Sequence, residues 1–400
     1  MKRKLLKQIF NEWRINIWIA IEILIASVVI TVAVYDVYVN MRIYYAPMNI
    51  DIDRTYLVSY SKVPYTSEDF DQNASIYENS QNYEMLRTIR NHPIVEAAVM
   101  AHNCRPYTRG MSTLDLRVDT TKSENLNLRM YGVSPSYPRV FNIRGINGET
   151  PEQLEQILKD GKVIISKNLF SEYGVNAADL IGKKIFSEWE EFTVGAVIEP
   201  IRWSEYDEYN YNLIHRLSDA MYGYNLELVV RIKPEFTGDV KETIMNEIRS
   251  GNNYVTAVES LKDQRKISLR EKDNEMRNHI VVVAFLLFNL FLGILGTFWL
   301  RTFQRPSAIA IRKVHGASSA SIMRRLIGEG LIIVTLASIP AFFISGVIIN
   351  VLVPEIFTWG DTAICAAFTY IAIAIITLFG TLFPALKAIR INPAEALKSE

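Results

Sequence analysis

Four long apolar segments interrupt a chain that is otherwise mixed in polarity. They cover residues 17–38, 280–300, 331–353 and 363–386. A bilayer core about 30 Å thick is crossed by about 20 predominantly apolar helical residues, so each segment is long enough to span it. The pattern therefore predicts four transmembrane helices.

The first 16 residues carry apolar side chains at helical spacing beside three lysines and two arginines. This pattern predicts an amphipathic N-terminal helix over 1–16 that lies in the cytoplasmic interface; the alternative is a continuous extension of the first span. The first apolar segment is too long for the core of a signal peptide, and no small-x-small cleavage site follows it before Asp36. We therefore expect an uncleaved first span.

Charge near the spans predicts their orientation. The loop 301–330 has six basic and no acidic residues between Arg301 and Arg325, whereas the short loop 354–362 has Glu355 and Asp361 and no basic residue. Basic loops stay on the cytoplasmic side. We therefore expect the loop 301–330, the N-terminus and the tail 387–400 to be cytoplasmic, and the loop 354–362 to be outside.

The stretch 40–279 is then extracytoplasmic, with 29 basic and 35 acidic residues. A segment of this length must fold, since structureless connections of such size are rare in compact proteins. Alternating runs predict strands, and amphipathic runs predict helices, the last of them a stalk over 260–279 that leads into the second span. The predicted strands are Leu114–Val118, Val163–Ser166, Phe192–Ile198 and Leu226–Ile232, and the predicted helices are Tyr83–Asn91, Pro151–Asp160 and Gly238–Ser250.

These elements define the expected fold class: a membrane protein of four transmembrane α-helices, with a large extracytoplasmic α+β domain inserted between helices 1 and 2. Glu22, inside the first span, is placed where an ionised carboxylate is costly, and we expect it to reach toward the near cytoplasmic surface.

The residue chemistry argues against an enzyme and against a nucleic-acid partner. Lysine plus arginine and aspartate plus glutamate both number 43, with 49% hydrophobic residues. No clustered catalytic or metal-ligating motif appears, and His102 with Cys104 alone does not make a metal site, so we expect a plain surface loop there. The phosphate-binding pattern G-x-x-x-x-G-K-[ST] is also absent. We expect no catalytic residue, metal or cofactor in this chain, so any ATP is bound by a partner subunit.

Three stretches resemble known proteins. Arg305–Ser318, followed by Ile322 and Glu329, is similar to an R-x-x-E-I-G-I-R-K-A-x-G-A-S segment, and Pro384–Leu397 is similar to a P-A-x-x-A-x-x-x-x-P-x-E-A-L ending. The third stretch runs from Tyr131-Gly132-Val133-Ser134-Pro135 to Phe192–Ile198. Their order resembles the FtsX-like permeases of the MacB type, membrane subunits of ATP-binding cassette (ABC) transporters with a MacB-like periplasmic core domain.

The resemblance implies that the loop between the second and third spans docks on an ATPase. The implied coupling residues are Ile309, Ile311, Arg312, Lys313, Gly316, Ala317 and Ser318. The sequence departs from the family at Ala308, where glutamate is common, and at His315. The residues alone suggest a short amphipathic helix that ends near Gly316, with a solvated basic loop attracted to lipid as the alternative.

The implied function is that of a permease subunit in the bacterial inner membrane. It would pass ATP-driven motion from a cytoplasmic ABC ATPase to the extracytoplasmic domain, for export of an antibiotic, peptide or lipid-like substrate. Implied partners are that ATPase, a second permease copy or paralogue, the lipid bilayer and, as an open option, a periplasmic adaptor. The alternatives are a transmembrane sensor or regulator of a cell-envelope process and, less favoured, a membrane-tethered enzyme.

Overall fold

The computed structural model describes residues 13–72, 77–108, 110, 112–117, 126–187, 190–223, 226–303, 311, 313–354 and 356–388. The chain divides into two compact units. We call the first, within Met1–Arg42 and Asp273–Glu400, the membrane unit. The second, Ile43–Lys272, is the inserted domain.

Eight helices and eleven strands are present among the described residues, apart from short 3₁₀ turns. The helices are α1 Trp13–Tyr45, α2 Glu78–Arg90, α3 Tyr137–Val140, α4 Pro151–Lys159, α5 Val240–Glu247, α6 Leu261–Phe303, α7 Ser319–Leu352 and α8 Trp359–Ala388. The strands are β1 Thr55–Lys62, β2 Val95–His102, β3 Thr113–Arg117, β4 Leu126–Val133, β5 Val163–Ser166, β6 Lys184–Ser187, β7 Glu191–Ile198, β8 Asn212–Arg216, β9 Glu227–Ile232, β10 Arg249–Ser250 and β11 Asn253–Ser260.

The expected fold class is confirmed: α1, α6, α7 and α8 are long and apolar enough to cross a membrane, and the α/β domain lies between the first two of them. The helices extend beyond the predicted spans. Residues 13–16 are continuous with α1, the segment 261–279 belongs to the same helix as the second span, and residues 319–330 of the predicted loop form the start of α7. Residues 1–12 and 389–400 lie outside the described residues.

The four membrane helices share one apolar core. Ile23 of α1, Ile294 of α6, Val334 of α7 and Ile373 of α8 are buried in it. Glycines let the helices approach closely: a Cβ on Gly330 would lie 2.9 Å from Thr377 Cγ2 and 3.1 Å from Phe298 Cζ. Small residues serve this purpose where lipid removes the hydrophobic drive for helix association.

Polar contacts tie the same helices together at one end. Arg42 Nη1 lies 2.6 Å from Asp361 Oδ2, so the end of α1 pairs with the start of α8. The Tyr35 hydroxyl donates to the carbonyl of Ile356 over 3.0 Å, and His279 Nδ1 lies 2.5 Å from Asp36 Oδ2. Elsewhere in the unit, Glu22 is exposed and its carboxylate lies against the α6 backbone at Gly293. The expectation that Glu22 reaches toward the near cytoplasmic surface did not include this contact.

The inserted domain is built on one mixed sheet. Its strand order is β10-β11-β1-β9-β2-β4-β3-β6-β7-β5-β8, and β4 also pairs with β8 in parallel, from Arg129 opposite Asn212 to Val133 opposite Arg216. The strands β4, β3, β6, β7, β5 and β8 therefore form a closed ring, and the remaining five extend from it as an open sheet.

Local sequence accounts for several of these elements. Val163–Ser166 lies between β7, to which it is parallel, and β8, to which it is antiparallel. It is apolar at three of its four positions and buried throughout, as a strand with both faces covered should be. Helix α4 begins with a capping box, in which the Thr150 side chain accepts from the Gln153 amide while the Gln153 side chain accepts from the Thr150 amide.

One predicted helix was wrong at its end. Gly238–Ser250 was expected to be helical throughout, but the helix ends at Glu247, and Arg249 and Ser250 form a short strand opposite Tyr254 and Asn253. Pairing with β11 satisfies the backbone there, and a tertiary contact of this kind outweighs local helix propensity.

The stretch Tyr131–Pro135, which carried part of the resemblance, lies in the core and connects the end of β4 to β2. Tyr131 is fully buried, and Ser134 exchanges two hydrogen bonds with the Met100 backbone, its amide donating over 2.8 Å and its hydroxyl accepting over 3.1 Å. Cys104 is buried as well, contrary to the plain surface loop expected there, and the Tyr137 hydroxyl donates to its carbonyl over 2.7 Å.

Candidate functional site

Five of the seven predicted coupling residues lie in a turn before α7, which we call the coupling turn and define as residues 311 and 313–318. Ile309 and Arg312 lie outside the described residues. Ile311 and Lys313 are helical, and the turn closes through hydrogen bonds from the His315 amide to Ile311 O (3.0 Å) and from the Gly316 amide to Lys313 O (3.0 Å). The helical turn therefore ends at Gly316.

Gly316 has a φ of +84°, in the left-handed region that favours glycine. Such a residue ends a helix without steric cost and turns the chain. Two residues later Ser318 begins α7 as its N-cap, with its hydroxyl accepting from the Ser321 amide over 3.3 Å. The direction of the coupling turn is thus set at both ends.

The turn presents apolar side chains at its surface. Ile311 is 48% exposed and Val314 is 64% exposed. Ala317, by contrast, packs against the buried Ile322 of α7, as does the partly buried Leu326. One side of the turn is thus fixed to α7, and the other carries exposed apolar area that an additional protein surface can cover.

Farther along α7, a carboxylate is buried within the membrane unit. Glu329 is 7% exposed, and Arg325 Nε lies 3.3 Å from its Oε1, one helical turn earlier. The next residue, Gly330, is the one that packs against α6 and α8. The start of α7 is therefore connected to the turn at one end and to two neighbouring helices at the other.

A second polar cluster lies where the chain enters the inserted domain. Arg202 is 1% exposed, and its guanidinium donates only to backbone carbonyls among the described contacts. Three acceptors, Ile43, Ala46 and Pro47, belong to residues 43–52, which we call the entry segment and which begins with the last residues of α1. The other two acceptors are Glu205 and Asp207. The Tyr209 hydroxyl also donates to Pro47 O over 2.8 Å.

The chain leaves the domain beside the same loop. Arg265, in the first turns of α6, forms an ion pair with Glu205. Tyr107 donates to the same carboxylate oxygen over 3.2 Å, and burial, together with the charge of Glu205, raises the Tyr107 pKa far above its ordinary value. The tyrosine therefore stays protonated and remains a donor.

The loop 201–209 thus holds both connections of the inserted domain: Arg202 binds the entry segment and Glu205 binds the exit helix. We call this arrangement the domain base. Sequence reasoning missed it, because a lone arginine and a lone glutamate between two strands carry no motif. The one local signal that could have pointed to a buried Arg202 is its position between two apolar residues, Ile201 and Trp203.

Comparisons with protein families match most of the chain. Residues 19–264 match the family described as MacB-like periplasmic core domain, and residues 280–393 match the family described as FtsX-like permease C-terminal. Comparison with curated protein sequences gave no match.

Among solved structures, the chain is similar to the periplasmic region of MacB from Actinobacillus actinomycetemcomitans. The identity is 13% with a TM-score of 0.34, over 56% of this chain and 97% of that chain. It is also similar to the extracellular domain of the noncanonic ABC-type transporter YknZ from Gram-positive bacteria. There the identity is 14% with a TM-score of 0.32, over 50% of this chain and 99% of that chain.

Proposed function

Because the chain belongs to the FtsX-like permease family and carries a MacB-like periplasmic core domain, we propose that it transmits ATP-driven motion to its inserted domain from a separate ATPase. It is a multi-pass transmembrane component of the ABC transporter permease type. In the proposal, ATP is bound by the partner subunit in the cytoplasm. The inserted domain lies outside the inner membrane, and the work drives export of an antibiotic, peptide or lipid-like substrate.

The coupling turn is the observation that carries the proposal. Its exposed Ile311 and Val314 sit on a helical turn whose direction is fixed by Gly316 and Ser318. Apolar side chains on a rigid element, flanked by positive charge, suit the docking surface of a partner protein better than they suit a solvated loop. The proposed coupling set is the one predicted from the sequence, including Ile309 and Arg312.

Motion at the turn has a continuous path through packed residues of the membrane unit. Ala317 packs against Ile322 on α7, and Gly330 of the same helix packs against α6 and α8. Because packed interiors deform little, a shift at the turn moves these helices together. Helix α6 then continues without a break as far as Leu261.

The domain base supports the same proposal at the other end of that path. Arg265 of α6 is paired with Glu205, and Arg202 of the same loop binds the last turn of α1 and the residues that follow it. Displacement of either connection therefore acts on one loop of the inserted domain. We also propose that the working unit contains a second permease copy or paralogue and two ATPase subunits, with an adaptor as an optional addition.

The test is affinity purification of the full chain in mild detergent from its native host. Replacing Ile311 with Asp puts a charge into the proposed apolar contact, and we expect the co-purified ABC ATPase to fall at least about tenfold, since a central apolar contact contributes about 2 kcal/mol or more.

Ile267→Asp is the matched control, because Ile267 is 69% exposed on α6 within the inserted domain and receives the same chemical change. It should retain the ATPase at the parent level. If no ATPase accompanies the parent, or if both variants lose it equally, the proposed coupling role of the turn is wrong.

A further inference from the structure

A cavity of about 450 Å³ opens at the domain base. This volume falls within the range of about 300–1,000 Å³ that is typical of small-molecule sites. The cavity has one apolar wall and one basic wall. Its lining residues are Met48, Ile50, Ile52, Asp53, Tyr107, Glu205, Lys262, Arg265 and Lys266.

The apolar wall follows the entry segment of the domain. Ile50 and Ile52 are partly buried and pack against the core of the inserted domain, so the core fixes the position of this wall. Met48 lies three residues beyond the end of α1 and completes it. This wall can cover apolar area of a ligand without a change in the fold.

The basic wall is one face of the exit helix. Lys262, Arg265 and Lys266 are spaced three and four residues apart on α6, so their side chains share a face. Lys262 Nζ lies 2.9 Å from Asp53 Oδ1 and Lys266 Nζ lies 3.3 Å from Asp263 Oδ1, but both ion pairs are exposed. Exposed pairs contribute little, so a phosphate can displace or share them.

A buried carboxylate completes the site. Within the part of the chain that the structure describes, both donors to Glu205, the Arg265 guanidinium and the Tyr107 hydroxyl, bind its Oε1, and its Oε2 is buried without a hydrogen-bond partner. Tyr107 itself is held at a φ of +63°, which is uncommon for a bulky residue and is often found at ligand sites. A ligand that carries an O–H or N–H donor would satisfy Oε2.

We propose that this cavity binds the headgroup of a membrane phospholipid. The phosphate contacts Lys262 and Lys266, a hydroxyl or ammonium of the headgroup donates to Glu205 Oε2, and the first carbons of the acyl chains lie along Met48, Ile50 and Ile52. Charge and polarity on the two walls match an amphiphile with an anionic phosphate. Both walls also adjoin, along the chain, helices long enough to cross a membrane.

The inference does not depend on the ATPase partnership. Its test is calorimetric titration of the full chain, in dodecyl maltoside, with dihexanoyl-phosphatidylglycerol as the probe. We expect the K262Q/K266Q double variant to bind at least about tenfold more weakly than the parent, since two charge-assisted contacts to the phosphate are lost.

The matched control is K167Q/K184Q, because both lysines form exposed ion pairs away from the cavity, with Glu199 at 3.0 Å and Glu191 at 2.7 Å. It should bind like the parent. Glycerol phosphate, which has no acyl chains, and dihexanoylglycerol, which has no phosphate, should each bind at least about tenfold more weakly than the lipid.

Three results would overturn the proposal. The first is that the parent shows no lipid binding above the control titration into detergent alone. The second is that the K262Q/K266Q variant binds the lipid as tightly as the parent. The third is that glycerol phosphate binds as tightly as the lipid, which would make this a site for a soluble phosphate compound.

Discussion

Replacing Arg202 with Met should destabilise the inserted domain strongly. The substitution keeps an unbranched side chain of similar length but removes every hydrogen bond from the guanidinium. Five carbonyls lose their donor, those of Ile43 at 2.5 Å, Pro47 at 3.2 Å, Glu205 at 3.0 Å, Asp207 at 3.2 Å and Ala46.

The magnitude follows from this count. Four N–H groups serve these five carbonyls, because Nη1 contacts three of them with two protons. At about 1–1.5 kcal/mol each, they give a loss of about 4–6 kcal/mol, and removal of a buried charge returns part of this cost. We therefore expect the free energy of unfolding to fall by about 3–5 kcal/mol. For a domain of this size, that corresponds to a midpoint lower by roughly 6–20 °C.

The assay is thermal unfolding of the full chain in detergent, with limited proteolysis near residues 43–47 as a second readout. Arg249→Met is the control, because Arg249 is exposed and donates to Asp69 O over 3.3 Å; its cost should stay within about 0.5 kcal/mol. Arg202→Lys should fall between parent and Met, since an ammonium has three donors in place of five. An Arg202→Met midpoint equal to that of the Arg249→Met control would refute the reasoning.

Two further outcomes test the membrane unit. Gly316→Ala forces a side chain into a left-handed backbone at a cost of about 1–2 kcal/mol, so recovery of the ATPase should fall several-fold. Gly328→Ala, at a position on α7 with open space around an added Cβ, should leave the recovery unchanged. Equal loss in both variants would exclude the turn geometry as the cause. In spheroplasts, a membrane-impermeant maleimide should label Tyr65→Cys, at a position that is 84% exposed, and should label Ile311→Cys only after lysis. The native cysteines are buried. Labelling of both variants before lysis would contradict the proposed orientation.

The membrane helices could be predicted because their signal is local. Apolar length identifies a span, and the absence of charge between residues 280 and 300 left little ambiguity in α6. Strands such as β5 and β7 were also recognisable, because a short buried run carries its own pattern. The end of the predicted helix at Gly238–Ser250 failed because β10 exists only through its pairing with β11.

The ring closure and the domain base could not be predicted for a related reason. β4 pairs with β8 across more than 80 residues of chain, and Arg202 meets Ile43 from 159 residues away. Nothing local at either partner specifies the other. The coupling residues were found in a different way: their prediction came from resemblance to a family, and the exposed apolar face of Ile311 and Val314 is visible only in the folded turn.

Closure of the ring also affects how the inserted domain avoids unwanted association. A strand with a free side offers unpaired backbone groups to any neighbouring chain, and proteins generally shield such edges. β8 ends the strand order but is paired on both sides, with β5 and with β4. Among the described strands, the sheet therefore has one end open to strand addition, at the β10–β11 hairpin. Aggregation of a partly folded chain through sheet extension should start there, whereas the ring end resists it.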